Sequence, residues 1–311
     1  MKKILFASTA LVATASVAAA ELTMSGSGRF GLQYNDGNAE ETILDHRFRL
    51  TMNGVTETDS GVKFEGRIRF EANDDAGFGS NGSGPGGAGF AVTTGGLRVD
   101  VGSVSDVFDS GDVLNWSGSE AGYSFFQGQA ENFDGFVKNG FSGSGNDDGQ
   151  RIKARYTAGD FTGAVSYGLE TAAGEGDASW QIGAGYNLGA HSVGAMFGDS
   201  DMDNSQWAVG VNGSFGDFGY AVLIGDNDNN IGDVSVGISG SYAISAATSL
   251  NAHVSFGGSN DDAVEGTWVE NDESYGIGVS HSLGGGVSLG AGVGKNRLGN
   301  TQGDLGVNFS F

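Results

Sequence analysis

The chain has 311 residues, of which 58 are Gly, one is Pro and none is Cys. This composition excludes collagen, a disulfide-stabilised scaffold and thiolate chemistry. The 15 Lys and Arg residues against 38 Asp and Glu give a net charge of −23, which argues against a nucleic-acid partner.

The first twenty residues have the pattern of a secretory signal peptide. Lys2 and Lys3 precede an apolar stretch at 4–13, and residues 18–20 are all Ala. We predict cleavage after Ala20, with a buried N-terminal helix as the alternative. The mature chain, 21–311, then has 13 basic and 38 acidic residues and a net charge of −25.

Apolar and polar residues alternate along the whole mature chain, which is typical of β-strands with one polar face. We predict an all-β protein with sixteen strands, an even number as a closed antiparallel barrel requires. The predicted strands are 22–34, 46–53, 62–71, 90–95, 97–105, 151–158, 161–170, 179–188, 192–199, 207–215, 218–226, 234–244, 249–257, 275–283, 287–294 and 304–311.

The predicted connections alternate between short turns and longer polar loops, which is the arrangement of outer-membrane barrels. The connection at 106–149 is far longer than the others. A loop of this length within a compact domain is usually functional or disordered.

The strand faces favour a transmembrane barrel over a soluble β-sandwich. The polar face is rich in charged and amide side chains, as a wet lumen requires. Trp207 and Phe215 share the apolar face at a spacing close to that of two aromatic girdles. Many positions on the apolar face are Gly or Ala, which lipid-facing or subunit-facing strands tolerate.

Three segments and the last strand carry a resemblance to a known family. The segments are ELTMSG at 21–26, RFRLTMNG at 47–54 and TDSGVKF at 58–64. The last strand alternates up to Phe309 and Phe311, which resembles the C-terminal signal read by the barrel assembly machinery. In these features the chain resembles the alphaproteobacterial general diffusion porins. The resemblance implies a homotrimer of 16-stranded outer-membrane barrels, each with the 106–149 loop folded into its lumen as the constriction.

Eleven of the thirteen mature basic residues lie between Arg29 and Arg155, and none lies at 156–294. Alternation directs most of them into the lumen, where they form a predicted basic wall opposite acidic residues of the long loop. The alternative is that single Arg residues only pair with wall acids such as Glu65, Glu71 and Asp100. The predicted basic wall comprises Arg29, Arg47, Arg49, Arg67, Arg69, Arg98, Arg151, Lys153 and Arg155. The predicted loop acids are Asp106, Asp109, Asp112, Glu120, Glu131 and Asp134.

No sequence constellation supports enzymatic chemistry, and the four His residues are isolated. We predict no cofactor, and oxygen-rich runs suggest a structural calcium site near Asp147, Asp148, Asp201 and Asp203.

These features predict a porin that passes small hydrophilic solutes and ions with a mild preference for cations. Outer-membrane lipid and lipopolysaccharide are its expected surroundings. The alternatives are a barrel with a plugged lumen, serving as a surface protein, and a barrel hydrolase.

Overall fold

The computed structural model describes residues 20–74, 83–124, 126, 128–141, 150–169, 178–200, 205–228, 230, 231, 233–262 and 267–311. It contains nineteen strands and the one-turn helix α1 (Val107–Ser110) within this part of the chain. The strands are β1 (Glu21–Asn35), β2 (Thr42–Glu57), β3 (Lys63–Asp74), β4 (Ser83–Pro85), β5 (Gly89–Thr94), β6 (Leu97–Gly102), β7 (Arg151–Ala158), β8 (Phe161–Gly168), β9 (Ser179–Asn187), β10 (His191–Ser200), β11 (Gln206–Phe215), β12 (Phe218–Asn227), β13 (Ser235–Ala243), β14 (Thr248–Phe256), β15 (Ser259–Asp262), β16 (Thr267–Glu270), β17 (Ser274–Gly284), β18 (Val287–Lys295) and β19 (Thr301–Ser310).

Sixteen of these strands close into an antiparallel barrel, which confirms the predicted fold class. Each wall strand pairs with its neighbour along the chain, and β1 pairs with both β2 and β19. At the seam, Gly26 and Phe311 exchange two backbone hydrogen bonds of 2.8 and 3.0 Å. A closed barrel leaves no open sheet edge, so the backbone polar groups are satisfied within the wall.

The two faces of the wall differ as the alternation predicts. Large apolar side chains point outward and are exposed, as with Leu22 at 67% and Ile277 at 65%. Polar side chains such as Gln181, Gln206 and Ser255 point inward and are buried. An apolar exterior over a polar interior is the reverse of a soluble β protein and matches a barrel in lipid.

The connections separate the two ends of the barrel. The turns that follow β2, β5, β7, β9, β11, β13 and β17 contain two to five residues and lie at one end. The other connections between wall strands have five residues or more and lie at the other end, which we call the long-loop end. Among the residues described, no helix is long and apolar enough to cross a membrane.

Strand boundaries depart from the predicted ones where alternation is locally lost. β2 runs from Thr42 to Glu57 rather than 46–53, because its ladders with β1 and β3 continue past an inward Ile43 and Val55. β6 ends at Gly102 rather than at residue 105. Gly102 has a φ of 98°, a left-handed conformation that only glycine adopts without strain and that directs the chain into the barrel.

Three short strands were not predicted. β4 extends the sheet beside β3, and β15 pairs with β16 in a separate hairpin. Such short segments carry too little alternation to be distinguished from polar loops. The predicted signal peptide, except for Ala20, lies outside the described residues.

Candidate functional site

We call the connection between β6 and β7 the third loop, and its described part folds into the lumen. Its apolar residues pack against the inward side chains of β8 to β12 in one buried cluster. The loop members include Val107, Phe108, Val113, Leu114, Phe133 and Phe136, and the wall members are Ala164, Met196, Ala208 and Leu223. Since burying an apolar side chain contributes about 1.5–3 kcal/mol, this cluster holds the described part of the loop inside the barrel.

Hydrogen bonds trace the course of the loop around the wall. On the way out, Phe108 N donates to Gln181 of β9 at 2.8 Å, and Ser119 N donates to Ser239 of β13 at 3.2 Å. On the way back, Asn132 N donates to Ser255 of β14 at 3.1 Å. The loop therefore lines the wall opposite β2 and β3, and its tip, Tyr123–Ser124, reaches the seam between β19 and β1.

Glycines on the inward face let the loop lie directly against the wall. A Cβ atom on Gly194 or Gly237 would lie 1.7 Å from a loop carbonyl oxygen, and one on Gly278 would lie 1.2 Å from another. No larger residue fits these positions while the loop keeps its course. The glycines with the least room thus face the lumen, not the outward face, on which the alternation places many Gly and Ala residues.

The loop tip is fixed by Tyr123, a residue that no motif or alternation in the sequence marks. Its ring occupies a socket in which a Cβ on Gly31, Gly290 or Gly306 would come within 2.4–2.7 Å of the tyrosine. The phenol donates to Asp45 at 3.2 Å, and Tyr123 N donates to Asp304 at 3.0 Å. Burial and the neighbouring Asp45 carboxylate raise the pKa of Tyr123, so the phenol remains a donor.

Ser124 completes the attachment of the tip. Its hydroxyl donates to Asp304 at 3.0 Å and accepts from Gln33 Nε2 at 2.9 Å. Asn308 Nδ2 donates to the Tyr123 carbonyl at 2.7 Å. Two strands beside the seam, β1 and β19, therefore hold the tip through buried polar groups.

Four of the predicted basic residues lie side by side on β2 and β3. Arg47 and Arg49 are on β2, and Arg67 and Arg69 are on the paired stretch of β3. The Arg67 and Arg69 guanidinium carbons lie 3.8 and 4.7 Å from the ring centre of Phe141, where the loop returns to the wall. Arg69 also donates to the Phe141 carbonyl at 3.2 Å. We call Arg47, Arg49, Arg67 and Arg69 the arginine wall.

The other predicted basic residues do not join the arginine wall. Arg29 is buried and paired with Asp45 at 2.8 Å, and Arg151 donates to the Val104 carbonyl at 2.6 Å. Lys153 and Arg155 both bind Asp112 of the loop, at 2.6 and 2.5 Å.

In-wall pairing, the alternative raised from the sequence, occurs at Arg98 and Arg49 as well as at Arg29. Arg98 lies 2.7 Å from Glu65 and 2.9 Å from Asp100. Arg49 of the arginine wall binds Glu71. Neighbouring strands therefore carry arginines that are neutralised by wall carboxylates beside arginines that add positive charge to the lumen.

Two of the six predicted loop acids interact electrostatically with the basic residues of β1 to β3. Glu120 is near Arg29 and Arg47, and Asp109 is near Arg69. Burial raises the pKa of Glu120 to about 7, although the two arginines oppose that shift. We call Glu120 and Asp109, together with the arginine wall, the candidate constriction.

The other loop acids serve the loop itself. Asp106 caps α1 by accepting from Asp109 N, and it also accepts from Asn139 N and Gln181 Nε2; burial raises its pKa to about 6. Burial tends to raise the pKa of Asp112, but hydrogen bonds and charge from Lys153 and Arg155 hold it below its usual value.

Glu131 and Asp134 lie farther along the loop. They bind Arg297 at 3.5 and 3.3 Å, and so tie the returning part of the loop to the connection between β18 and β19.

The candidate constriction combines carboxylates of the third loop with guanidinium groups of β2 and β3. Charges of opposite sign across a narrow aqueous section create a transverse field, which favours polar solutes and sets ion preference. Arginine suits this wall because its charge does not titrate near neutral pH.

The remaining site predictions have different outcomes. Phe309 and Phe311 point outward at the end of the barrel, with ring centres 6.3 Å apart, and Phe48 stacks on Phe311 at 5.9 Å.

The calcium candidates Asp147, Asp148, Asp201 and Asp203 lie outside the described residues. Within the part of the chain that is described, no group of three or more His, Asp or Glu is arranged to hold a metal ion.

Comparison with known proteins identifies relatives that are porins. The profile of the family described as Gram-negative porin matches residues 7–301. A curated porin from Fuscovulum blasticum is 40% identical over 107 residues, which are 33% of this chain and 35% of that protein. The match thus spans about a third of the length of this relative.

Solved structures match over nearly the whole chain. A triple mutant of Rh. blastica porin has a TM-score of 0.75 at 23% identity, covering 94% of this chain and 100% of that one. A second structure, from work on the asymmetric conductivity of engineered proteins, has a TM-score of 0.77 at 25% identity with the same coverage. At such low sequence identity, the structural similarity indicates a shared fold only.

Proposed function

The chain belongs to the Gram-negative porin family, and we propose that it forms a water-filled channel for passive diffusion of small hydrophilic solutes and ions. As a family member with a closed 16-strand barrel, it is a multi-pass β-barrel of the outer membrane. One observation carries the proposal. The described part of the third loop packs against one side of the wall, and its Glu120 and Asp109 interact electrostatically with Arg47 and Arg69 of the arginine wall.

We propose a mild preference for cations. The mature chain carries a large acidic excess, which raises the local concentration of cations at both mouths. Ion pairs such as Arg29 with Asp45 and Arg98 with Glu65 remove one charge of each sign and leave this excess unchanged. The arginine wall limits the preference without reversing it.

The assembly of the protein is also a proposal. The resemblance to general diffusion porins favours a homotrimer, surrounded by outer-membrane lipid and lipopolysaccharide and inserted by the barrel assembly machinery. The outward Phe309 and Phe311 fit a role in recognition by that machinery. We propose no cofactor beyond a structural calcium ion, for which the oxygen-rich loops are candidates.

We propose no enzymatic activity, since the curated relative is a porin. A plugged barrel remains the main competing function, because the third loop fills part of the lumen. Conductance separates the two, since a plugged barrel carries no steady ion current.

Reconstitution of the purified protein in a planar lipid bilayer tests the proposal. In asymmetric KCl we expect large ohmic current steps, grouped in threes for a trimer, with a reversal potential on the cation-selective side. Heat-modifiable electrophoretic mobility shows that the barrel is folded. A folded and inserted protein without conductance would contradict the proposal and favour a plugged barrel.

A further inference from the structure

A polar cavity of about 570 Å³ lies at the long-loop end of the lumen, beside the tip of the third loop. Its walls come from the end of β1, the connection between β18 and β19, Asn73 of β3 and the loop tip. Seven of its sixteen lining residues are Asn or Gln. Its volume is within the range of about 300–1,000 Å³ that is usual for small-molecule sites. We call it the vestibule cavity.

Turn hydrogen bonds fix the orientation of two of these amides. Asn35 Oδ1 accepts from Gly37 N at 2.9 Å, and Asn296 Oδ1 accepts from Leu298 N and Asn300 N at 3.0 and 2.9 Å. A backbone N–H can only donate, so the oxygen of each amide must occupy the turn. The NH₂ groups of both residues are therefore left to donate elsewhere.

A third amide presents the opposite group. Gln33 Nε2 donates to the Ser124 hydroxyl at 2.9 Å, which leaves the Gln33 carbonyl oxygen as an acceptor. Among the described residues, no hydrogen bond is formed by this oxygen or by Nδ2 of Asn35 or Asn296. The cavity thus combines donors and an acceptor whose directions are set before any ligand arrives, which lowers the entropic cost of binding.

The charged groups of the vestibule cavity are already engaged with one another or with the loop. Arg297 lies between Glu131 and Asp134 at 3.5 and 3.3 Å. Asp304 accepts from Tyr123 N, Ser124 N and the Ser124 hydroxyl. Carboxylates outnumber the single Arg297 among these groups, which disfavours anions. A cation would have to compete with the donors that already occupy Asp304 and would lose its own hydration.

We propose that the vestibule cavity binds neutral polyhydroxylated solutes, that is, mono- and disaccharides, on their way into the channel. A hydroxyl both donates and accepts, so neighbouring sugar hydroxyls can pair with the fixed NH₂ groups and with the Gln33 oxygen. Phe126 and Leu298 supply apolar surface for the C–H faces of the sugar ring. The site deepens the proposed channel function and rests on it.

Sugar titration in single-channel recordings tests this site. Maltose is added in steps from each side of the bilayer in KCl, and the open-channel current is followed. We expect a saturable reduction of the current at millimolar maltose, stronger from the side of the long loops.

Two substitutions remove the donors while keeping the turns. In Asn35→Ser with Asn296→Ser, each hydroxyl can still accept the turn N–H groups, but the NH₂ donors are lost. We expect the apparent maltose affinity to fall roughly tenfold, as two lost hydrogen bonds imply, with unchanged conductance in KCl. Asn212→Ser is the matched control, because Asn212 lies in the lumen near the short turns and accepts from Ser192 there.

The outcomes separate this inference from the channel function itself. Normal KCl conductance without saturable maltose block would overturn the sugar site and leave the channel function intact. A maltose block that Asn212→Ser weakens as much as the double substitution does would also overturn the sugar site and leave the channel function intact. Absence of KCl conductance in the folded wild-type protein would instead overturn the proposed function, and the sugar site with it.

Discussion

The Tyr123 hydroxyl lies 3.2 Å from Oδ2 of Asp45, and this hydrogen bond joins the tip of the third loop to β2. Asp45 also binds Arg29 and precedes Arg47 of the arginine wall by two residues. The tip and one side of the candidate constriction therefore share a buried anchor. The position at which the loop tip is anchored therefore affects the width of the channel and the steadiness of its current.

Tyr123→Ala is expected to release the loop tip. The substitution empties the glycine socket, and loss of a large buried aromatic side chain costs about 3–5 kcal/mol. We expect a noisier open-channel current and closure at lower voltage, measured in single-channel recordings. Tyr123→Phe keeps the ring and removes only the bond to Asp45, so its effect should be small, on the order of one hydrogen bond of about 1 kcal/mol.

Gly306→Ala tests the socket from the wall side. The added Cβ would lie 2.4 Å from the Tyr123 ring and 2.5 Å from the Phe30 carbonyl oxygen of the neighbouring strand. We therefore expect a displaced loop tip, with the noisy current of Tyr123→Ala, together with some local strain between β19 and β1. Combined with Tyr123→Ala, the same substitution should add less current noise than it causes in the wild-type chain, because only the contact with the Phe30 carbonyl remains. An additive effect of the two changes on current noise would show that the ring is not held in this socket.

Neutralising the arginine wall should raise the preference for cations. In Arg47→Gln with Arg49→Gln and Arg67→Gln, three positive charges leave the candidate constriction, and the local potential becomes more negative. We expect the reversal potential in asymmetric KCl to move by several millivolts towards the potassium equilibrium value. Lys63→Gln, at the short-turn end, removes a charge outside the constriction and should produce almost no shift. If Lys63→Gln shifts the reversal potential as much per charge as the triple substitution does, the arginine wall does not determine the selectivity.

The sixteen wall strands were predictable because one face of each strand meets lipid and the other meets a polar lumen. Apolar and polar residues therefore alternate along the strands, as in β11. The attachment of the loop was not predictable in the same way. Tyr123 and its socket of Gly31, Gly290 and Gly306 come from four distant segments, and nothing local in the sequence marks them as partners. The pairing of Arg29 with Asp45 depends on strand register, which alternation alone does not specify.

Asp112→Asn should loosen the beginning of the third loop. Lys153 and Arg155 converge on this carboxylate, and removing one partner of a largely buried ion pair costs about 3–5 kcal/mol. We expect faster trypsin cleavage after Lys138 in the folded barrel, followed by mass spectrometry of the fragments. Asp134→Asn is the control, since Asp134 is more exposed and Arg297 keeps Glu131 as a second partner. Equal cleavage of both variants would mean that Asp112 does not hold the loop.

The ion preference of the channel should change with pH near neutrality through Glu120. Burial raises the pKa of this carboxyl to about 7, so it is charged above that pH and neutral below it. A charged Glu120 attracts cations into the constriction, and cation preference should therefore fall as the pH decreases from 8 to 6. Reversal potentials across this range measure the effect. Glu120→Gln should remove the pH dependence and keep the preference seen at low pH, whereas Glu131→Gln, beside Arg297, should retain it. A pH dependence that persists in Glu120→Gln would assign the titration to another group.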